Sequence, residues 1–288
     1  NAATEGYSRQ VAILTPAPPL QTPYGALGTG VLVTDIGRIQ DAFADLTFWR
    51  NAGQASDARA RHDVLERVEQ LYGEPSDTGL SSALDAFWSA WGDLASQPGG
   101  VAQRSAVRYR GEAVALHLNR LAEDLVQLRL DTERRLSDAV ARLNELAQQV
   151  AALNRDILAA EAGGVTAGDL RDARGRLLDA MAELATIRVV EQPQGTVAVI
   201  VDNVLVVDGS TTRALEVRAT GAGVALGVAG DTTVVPRAGG QIGALAGVVN
   251  VDIPEQIAAL DALAAALVQE VNALHRAGTN PAGATGVD

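Results

Sequence analysis

Between Glu112 and Ala162 the chain reads EAVALHLNRLAEDLVQLRLDTERRLSDAVARLNELAQQVAALNRDILAAEA, 51 residues without a glycine or a proline. Either residue weakens or breaks a helix interior, so their absence over this length predicts one helix, a rod of roughly 75 Å at 1.5 Å rise per residue. Its apolar seam is Leu118, Leu121, Leu125, Leu128, Thr132, Leu136, Ala139, Leu143, Leu146, Val150, Leu153 and Ile157. Steps of three and four alternate except at Thr132, where two fours meet. That is coiled-coil spacing with one local stutter, and charged or amide side chains flank it.

Working outward from the rod, Gly163 and Gly164 end it, and a second helix over residues 166–185 is predicted to return antiparallel to it. On the other side, Gln97-Pro98-Gly99-Gly100 separates the rod from a short helix capped by Asp77 and carrying Leu80, Leu84, Phe87, Trp88, Trp91 and Leu94. An earlier helix is expected from an N-cap at Asp35, through Ile36, Ile39, Phe43 and Leu46, to Tyr72, where Gly73 and Pro75 stop it. Its stretch from Arg50 to Asp63 is mostly Ala, Gly and polar, so its buried stripe is thin or built of small residues. Residues 1–34 hold Pro16, Pro18, Pro19 and Pro23 and read as an irregular, extended arm with a short strand at Val31–Thr34.

Beyond the second helix the pattern switches to strands: Ile187–Val190, Val197–Val201, Val204–Val207, Ala214–Val217, Val224–Val228 and Thr232–Val235. Asp202-Asn203 and Asp208-Gly209 suit tight turns. Glycine is frequent and side chains are small, so this sheet is expected to pack on the helices. A last helix is predicted from Asp252 and Pro254, with the stripe Ile253, Ile257, Leu260, Ala264, Leu267, Val271 and Leu274 facing the rod.

The predicted class is mainly α with a smaller β part, α+β: an elongated bundle of long helices plus a small Gly-rich antiparallel region. By residue number the divisions are an arm at 1–34, the long-helix bundle at 35–186, the β region at 187–250, the returning helix at 251–277 and a flexible tail at 278–288. Asn1 is not an initiator Met and no signal sequence follows, so the chain is expected to be an excised piece of a longer protein.

Composition narrows the chemistry. In 288 residues there are 23 basic and 35 acidic side chains, a formal charge of −12, which argues against wrapping nucleic acid or clinging to an anionic membrane. No uninterrupted run of 18 apolar residues occurs, so no bilayer span is expected. Every basic residue is arginine and cysteine is absent. This removes Schiff-base and P-loop lysines, thiol nucleophiles, disulfides and cysteine-ligated metals. His62, His117 and His275 are isolated and read as solvated or rim positions. Asp169 and Asp172 mimic part of a calcium loop but lack the closing glutamate, and fit a helix N-terminal half instead. The glycines at 25, 28 and 30 and at 221, 223 and 227 miss the dinucleotide fingerprint. Phe87, Trp88 and Trp91 form the one aromatic cluster, read as an anchor for the short helix, with a ligand platform as the alternative. No catalytic, cofactor-binding or metal residue is assigned.

Local strings carry the reading further. Asn1 to Gln10, NAATEGYSRQ, resembles the N-x-x-x-x-G-Y-S-R-Q stretch of bacterial flagellar axial proteins, and Gly28 to Phe43 is similar to their G-x-G-V-x-V-x-x-I-x-R-x-x-D-x-F. Leu80 to Trp88, Leu94 to Pro98 with Arg104 and Val107, and Val150 to Ile157 resemble passages of the flagellar hook-associated protein 1 family, the FlgK type. Gly168 to Leu178 is similar to its N-D-L-x-D-x-R-D-x-L-L, with Gly168 in place of asparagine and Gly175 in place of aspartate.

The resemblance implies a non-enzymatic structural protein of the hook–filament junction, without cofactors and secreted to the extracellular flagellum by the flagellar export channel. It implies self-association in a ring, contacts with the hook protein and the second junction protein, an export chaperone bound through regions outside this chain, and a terminal coiled coil made from both chain ends. A secreted coiled-coil adhesin or a phage tail-like component is the alternative class.

Overall fold

The computed structural model describes residues 10–38, 41–164, 166–221, 223–279 and 283–285. Asn1–Arg9 and Ile39-Gln40 of the strings quoted above lie outside them. The order is β1 (Gln10–Pro16), β2 (Leu20–Thr22), β3 (Gly25–Leu27), β4 (Val31–Arg38), α1 (Ala42–Tyr72), α2 (Leu80–Ser96), α3 (Val101–Glu161) and α4 (Gly168–Leu184). Then come β5 (Ile187–Glu191), β6 (Val197–Val201), β7 (Val204–Asp208), β8 (Thr211–Thr212), β9 (Leu215–Thr220), β10 (Gly223–Val228), α5 (Gly240–Gly247) and α6 (Ile253–Ala277). Long helices dominate and all strand pairing is antiparallel, so the class is α+β, mainly α.

Two compact units are present: Asn1–Ala60 with Leu136–Ala244, and Arg61–Arg135 with Leu245–Asp288. Residues of α1, α3 and α5 belong to both.

In the first unit, α3 buries Leu136, Leu143, Leu146, Val150 and Ile157, and α4 buries Leu178, Met181, Ala182 and Leu184. The Ala- and Gly-rich stretch of α1 now has its reason: a Cβ on Gly53 would stand 3.1 Å from the Ala182 carbonyl oxygen, so glycine lets α1 and α4 approach. Trp49 Nε1 donates to Asp179 Oδ1 at 2.7 Å across the same contact. The sheet β5-β6-β7-β8 is a meander, and β9–β10 is a separate hairpin. Val197, Val199, Val201, Val204, Val206 and Val207 are all buried, a near-continuous run that both faces of the meander help to cover. β1 and β4 form a two-stranded ladder with a bulge between Ile13 and Leu14, extended by the small β2–β3 hairpin.

In the second unit the core holds Val64 and Val68 of α1, Phe87 of α2, Val114, Leu118, Leu121, Leu125 and Leu128 of α3, and Ile253 and Leu260 of α6. Arg61 pairs with Asp252 at 2.7 Å, and the Tyr72 hydroxyl meets Gln256 Oε1 at 3.2 Å. Thr132, at the stutter, is 1% exposed, and its hydroxyl donates to the Leu128 carbonyl at 2.7 Å. A polar seam residue is thus satisfied by its own helix.

Several expectations need correction. Asp35 is not an N-cap: its backbone pairs with Ile13 in β4, so the arm at 1–34 and the bundle at 35–186 do not divide there. The cap is Asp41, whose Oδ1 accepts the Phe43 and Ala44 amides. Asp77 does not cap α2. Gly79 occupies that place, and the Glu74 carboxylate accepts the Ser81 amide at 2.9 Å. Leu153 is only partly buried and Asn154 takes its place in the interior. Thr232–Val235 is not a strand; Val234 makes one bridge to Gly227.

The region at 187–250 is not all β either, because α5 and a π-turn at Val248–Asp252 carry the final helix back to Gly240. Gly239 and Gly240 adopt φ of 62° and 56°, and a Cβ on Gly240 would meet the Leu184–Ala185 backbone at 2.8 Å, so these glycines are junction residues, not loop filler. Asp252 is helical itself. The π-turn widens the ladder where Pro254, lacking an amide hydrogen, follows. No uninterrupted apolar run exists, yet Gly240–Ala277 is long and apolar enough, by length and composition, to cross a membrane. Past Leu260 the α6 stripe is not buried: Leu267 and Val271 are partly exposed and Leu274 is 74% exposed.

These placements order three substitutions. Leu146→Ala empties a site only 1% exposed and is expected to cost about 2–5 kcal/mol. Leu153→Ala removes a partly solvated side chain and should cost roughly 1–2 kcal/mol. Arg142→Ala loses only an exposed ion pair with Glu145 and should cost less than about 1 kcal/mol. Denaturant unfolding of the three variants checks the order; equal midpoints for Leu146→Ala and Arg142→Ala would show the seam misplaced.

Candidate functional site

The three histidines stay apart from one another, and only His275 comes near another residue singled out for chemistry, in the groove of Trp88 and Trp91. His62 and His275 are exposed and His117 is partly exposed, in a shallow pocket with Tyr72, Arg120 and Asp124. Among the described residues no three His, Asp or Glu side chains gather where a metal would sit. Asp169 lies in the first turn of α4. Gly25 opens β3 at the β2–β3 turn, and Gly28 and Gly30 lie between β3 and β4. The glycines at 221, 223 and 227 belong to the β9–β10 hairpin, where the Arg218 guanidinium crosses Gly227 and leaves no room for a Cβ.

The aromatic cluster divides its labour. Phe87 is buried, with its ring against Gly111 of α3, where a Cβ would come within 3.3 Å. Trp88 and Trp91 stand off it at centroid distances of 5.0 and 6.2 Å. They line an apolar groove of about 410 Å3 with Val271, Leu274, His275 and Gly278 of the α6 end. The Trp91 indole N–H is buried and has no hydrogen-bond partner among the described residues. The groove offers apolar walls, one orphaned donor and a single imidazole, that of His275, and its size suits a side chain.

The most specific polar geometry was not legible in advance. Asn144 Nδ2 donates to the Leu215 carbonyl and its Oδ1 accepts the Leu215 amide, both at 2.8 Å. Ten residues on, Asn154 Nδ2 donates to the carbonyls of Val197 (2.9 Å) and Gly209 (2.7 Å), and its Oδ1 accepts the Val197 amide (3.2 Å) and Arg174 Nη1 (2.9 Å). Each side-chain amide imitates a neighbouring strand. In this way α3 pins β9 through Asn144 and β6 through Asn154. Arg174, itself buried, reaches on to the Gly195 carbonyl at 2.7 Å. The only advance signal was an amide beside a leucine seam; its partners are 43 and 71 residues away.

Glu161 and Arg171 close the α3–α4 turn as a two-point ion pair, each contact 2.7 Å, and Glu161 also accepts the Ala167 amide. The Arg171 hydrogen bonds hold the Glu161 carboxyl below its ordinary value against the opposing effect of burial, and the same bonds raise Arg171.

The family described as "Flagellar hook-associated protein FlgK helical domain" matches residues 65–288. Over its whole length the chain is 28% identical to flagellar hook-associated protein 1 of Bacillus subtilis, of which it spans 64%. It is 26% identical to the protein of that name from Escherichia coli, over 98% of this chain and 54% of the relative. The structure of the flagellar hook junction protein FlgK from Burkholderia pseudomallei matches with a TM-score of 0.69 at 22% identity, over 81% of this chain and 44% of that one, a likeness of fold. The chain therefore spans less than two thirds of each of these proteins.

Three outcomes are expected. Asn154→Ala strands two carbonyls and one amide, at about 1–3 kcal/mol per unsatisfied group, and takes one of its partners from Arg174, so it should cost more than about 3 kcal/mol. Asn154→Asp turns an acceptor toward the Val197 and Gly209 carbonyls, so chemical denaturation should show it destabilised too, despite its new charge beside Arg174. Glu161, with its folded value depressed, contributes stability that is present above the ordinary glutamate value of about 4.3 and lost as pH falls through the folded value. Glu161→Gln should therefore be less stable than the parent at pH 7, with the gap closing in acid; a pH-independent gap would contradict this.

Proposed function

The chain belongs to the family of the flagellar hook-associated protein FlgK helical domain, and on that footing we propose that it is a structural part of the bacterial flagellum. We place it at the hook–filament junction, acting by subunit packing without catalysis. The observation that carries the reading is the family match over residues 65–288, which includes the whole of α3. A joint needs helices that pack and stay packed, and the buried seam of α3 supplies them.

The site chemistry supports the same reading. Lysine and cysteine are absent from these residues, the histidines are separate, and the groove beside Trp88 and Trp91 has apolar walls. A chain without cysteine also forms no disulfide that would obstruct export of an unfolded polypeptide. The partners are then other copies of the protein in a ring, the hook protein and the second junction protein, with an export chaperone engaging regions beyond this chain. The protein would be extracellular, in the flagellum. Nucleic acid and membrane are not partners: Glu255, Asp261 and Glu270 punctuate α6, and charges of that kind cost about 2.5–3.5 kcal/mol each at a bilayer centre. The apolar side of α6 is better matched to a packing partner.

The test is deletion of the full gene. Electron microscopy should then show hooks without filaments, with unassembled filament protein in the medium; normal filaments on the deletion strain would overturn the reading.

A further inference from the structure

Residues 11–34 contain no charged side chain, in a chain with 23 basic and 35 acidic residues. This segment forms most of the β1–β4 ladder and all of the β2–β3 hairpin. Its apolar side chains are not used by the core: Ile13, Leu14, Leu32 and Val33 are all exposed, Val33 by 60%. A two-stranded ribbon is marginal by itself in water and is made durable by a third strand or a cover.

Each ladder strand pairs with one neighbour among the described residues: β1 with β4, and β4 with β1. The outer edge of each therefore presents backbone amides and carbonyls on which another strand can be added. Charged side chains, the usual guard against such addition, are missing from residues 11–34; in β4 they return only at Asp35 and Arg38, toward the end of the ladder away from the β2–β3 hairpin. Proline guards only its tip-side end, at Pro16 and beyond.

We infer that this ribbon is the surface by which one copy of the protein pairs with the next, the outer edge of β1 in one copy against the outer edge of β4 in its neighbour. The inference rests on the junction reading above. Charge identifies the occupant: the residues given carry −12, so copies repel one another wherever these acidic surfaces meet, and the uncharged stretch 11–34, with Asp35 and Arg38 of opposite sign beside it, is where that opposition is least. Geometry identifies the mode. Because β1 and β4 run antiparallel, ribbons pointing the same way add as β4-β1-β4-β1, an antiparallel sheet throughout. The two edges are different surfaces, so the contact is head-to-tail, the kind that generates rings when the rotation closes. A β1-to-β1 contact would stop at a dimer.

The residues given hold no cysteine, so within them each introduced thiol is unique. In cells carrying the full-length protein, with any cysteine outside these residues replaced by serine, Ala12→Cys on β1 and Leu32→Cys on β4 are made singly and together, with Arg155→Cys on the exposed side of α3 as a control, and assembled flagella are treated with a short bis-maleimide. Within one copy Ala12 lies opposite Ile36 and Leu32 opposite Thr15, so the two cysteines are offset along the ladder. The double variant is expected to give a ladder of multimers, and the single variants and the control none. Dimers from either single variant, cross-links to a different protein, or no multimers from a double variant that still carries filaments would each overturn the inference. The deletion strain separates the two claims. Loss of filaments on deletion with no ladder sinks the ribbon alone, whereas filaments on the deletion strain sink the junction reading.

Discussion

One unbroken run of backbone hydrogen bonding, the 61 residues of α3, is the constraint on which the rest depends. Both compact units draw core residues from it. A helix this long is not sustained by propensity; it is sustained by burying one stripe nearly all along its length. The stripe is leucine, valine and alanine in steps of three and four, and at Thr132 the phase changes without exposing an unsatisfied group, because the hydroxyl is returned to the Leu128 carbonyl. The phase change falls within a turn of Arg135, where one unit gives way to the other.

Where α3 carries an amide beside its apolar seam, it uses it for attachment. Asn144 and Asn154 turn a helix surface into something a β-strand recognises, pairing with both the amide and the carbonyl of a single residue each. Apolar contact tolerates sliding, whereas a two-point amide pair fixes register. The meander and the β9–β10 hairpin belong to different sheets, and each is keyed to α3 by one asparagine.

The long helices and β5–β7 were legible because their periods are strong and uninterrupted. The ribbon was legible only at Val31–Thr34, the start of β4: four prolines in the arm masked the strands beside them, and Ile36 and Phe43 happen to fit helical spacing although Ile36 belongs to β4. The start of the last helix was hidden for a related reason, since Gly239, Gly240, Gly243 and Gly247 read locally as a loop while close packing against Thr186 and Leu184 requires at least the first two. Phe87, Trp88 and Trp91 were legible as a cluster, but their division into one anchor and two groove walls was not. The asparagine pairs were out of reach altogether, because nothing local to residue 144 or 154 names a partner strand 71 or 43 residues later.

That sequence distance also fixes an order of events in folding. α3 closes only local hydrogen bonds and can form as soon as its residues are free, while each asparagine must hold its amide in water until a strand from much further along the chain returns to it. Closing those long loops is entropically the slower task, so docking of β6 and β9 belongs to the later part of the folding reaction. Interactions made after the rate-limiting barrier govern how fast a protein comes apart rather than how fast it assembles. The two asparagines therefore act chiefly as a brake on opening, and the lifetime of the closed state, more than the speed of reaching it, is what they set.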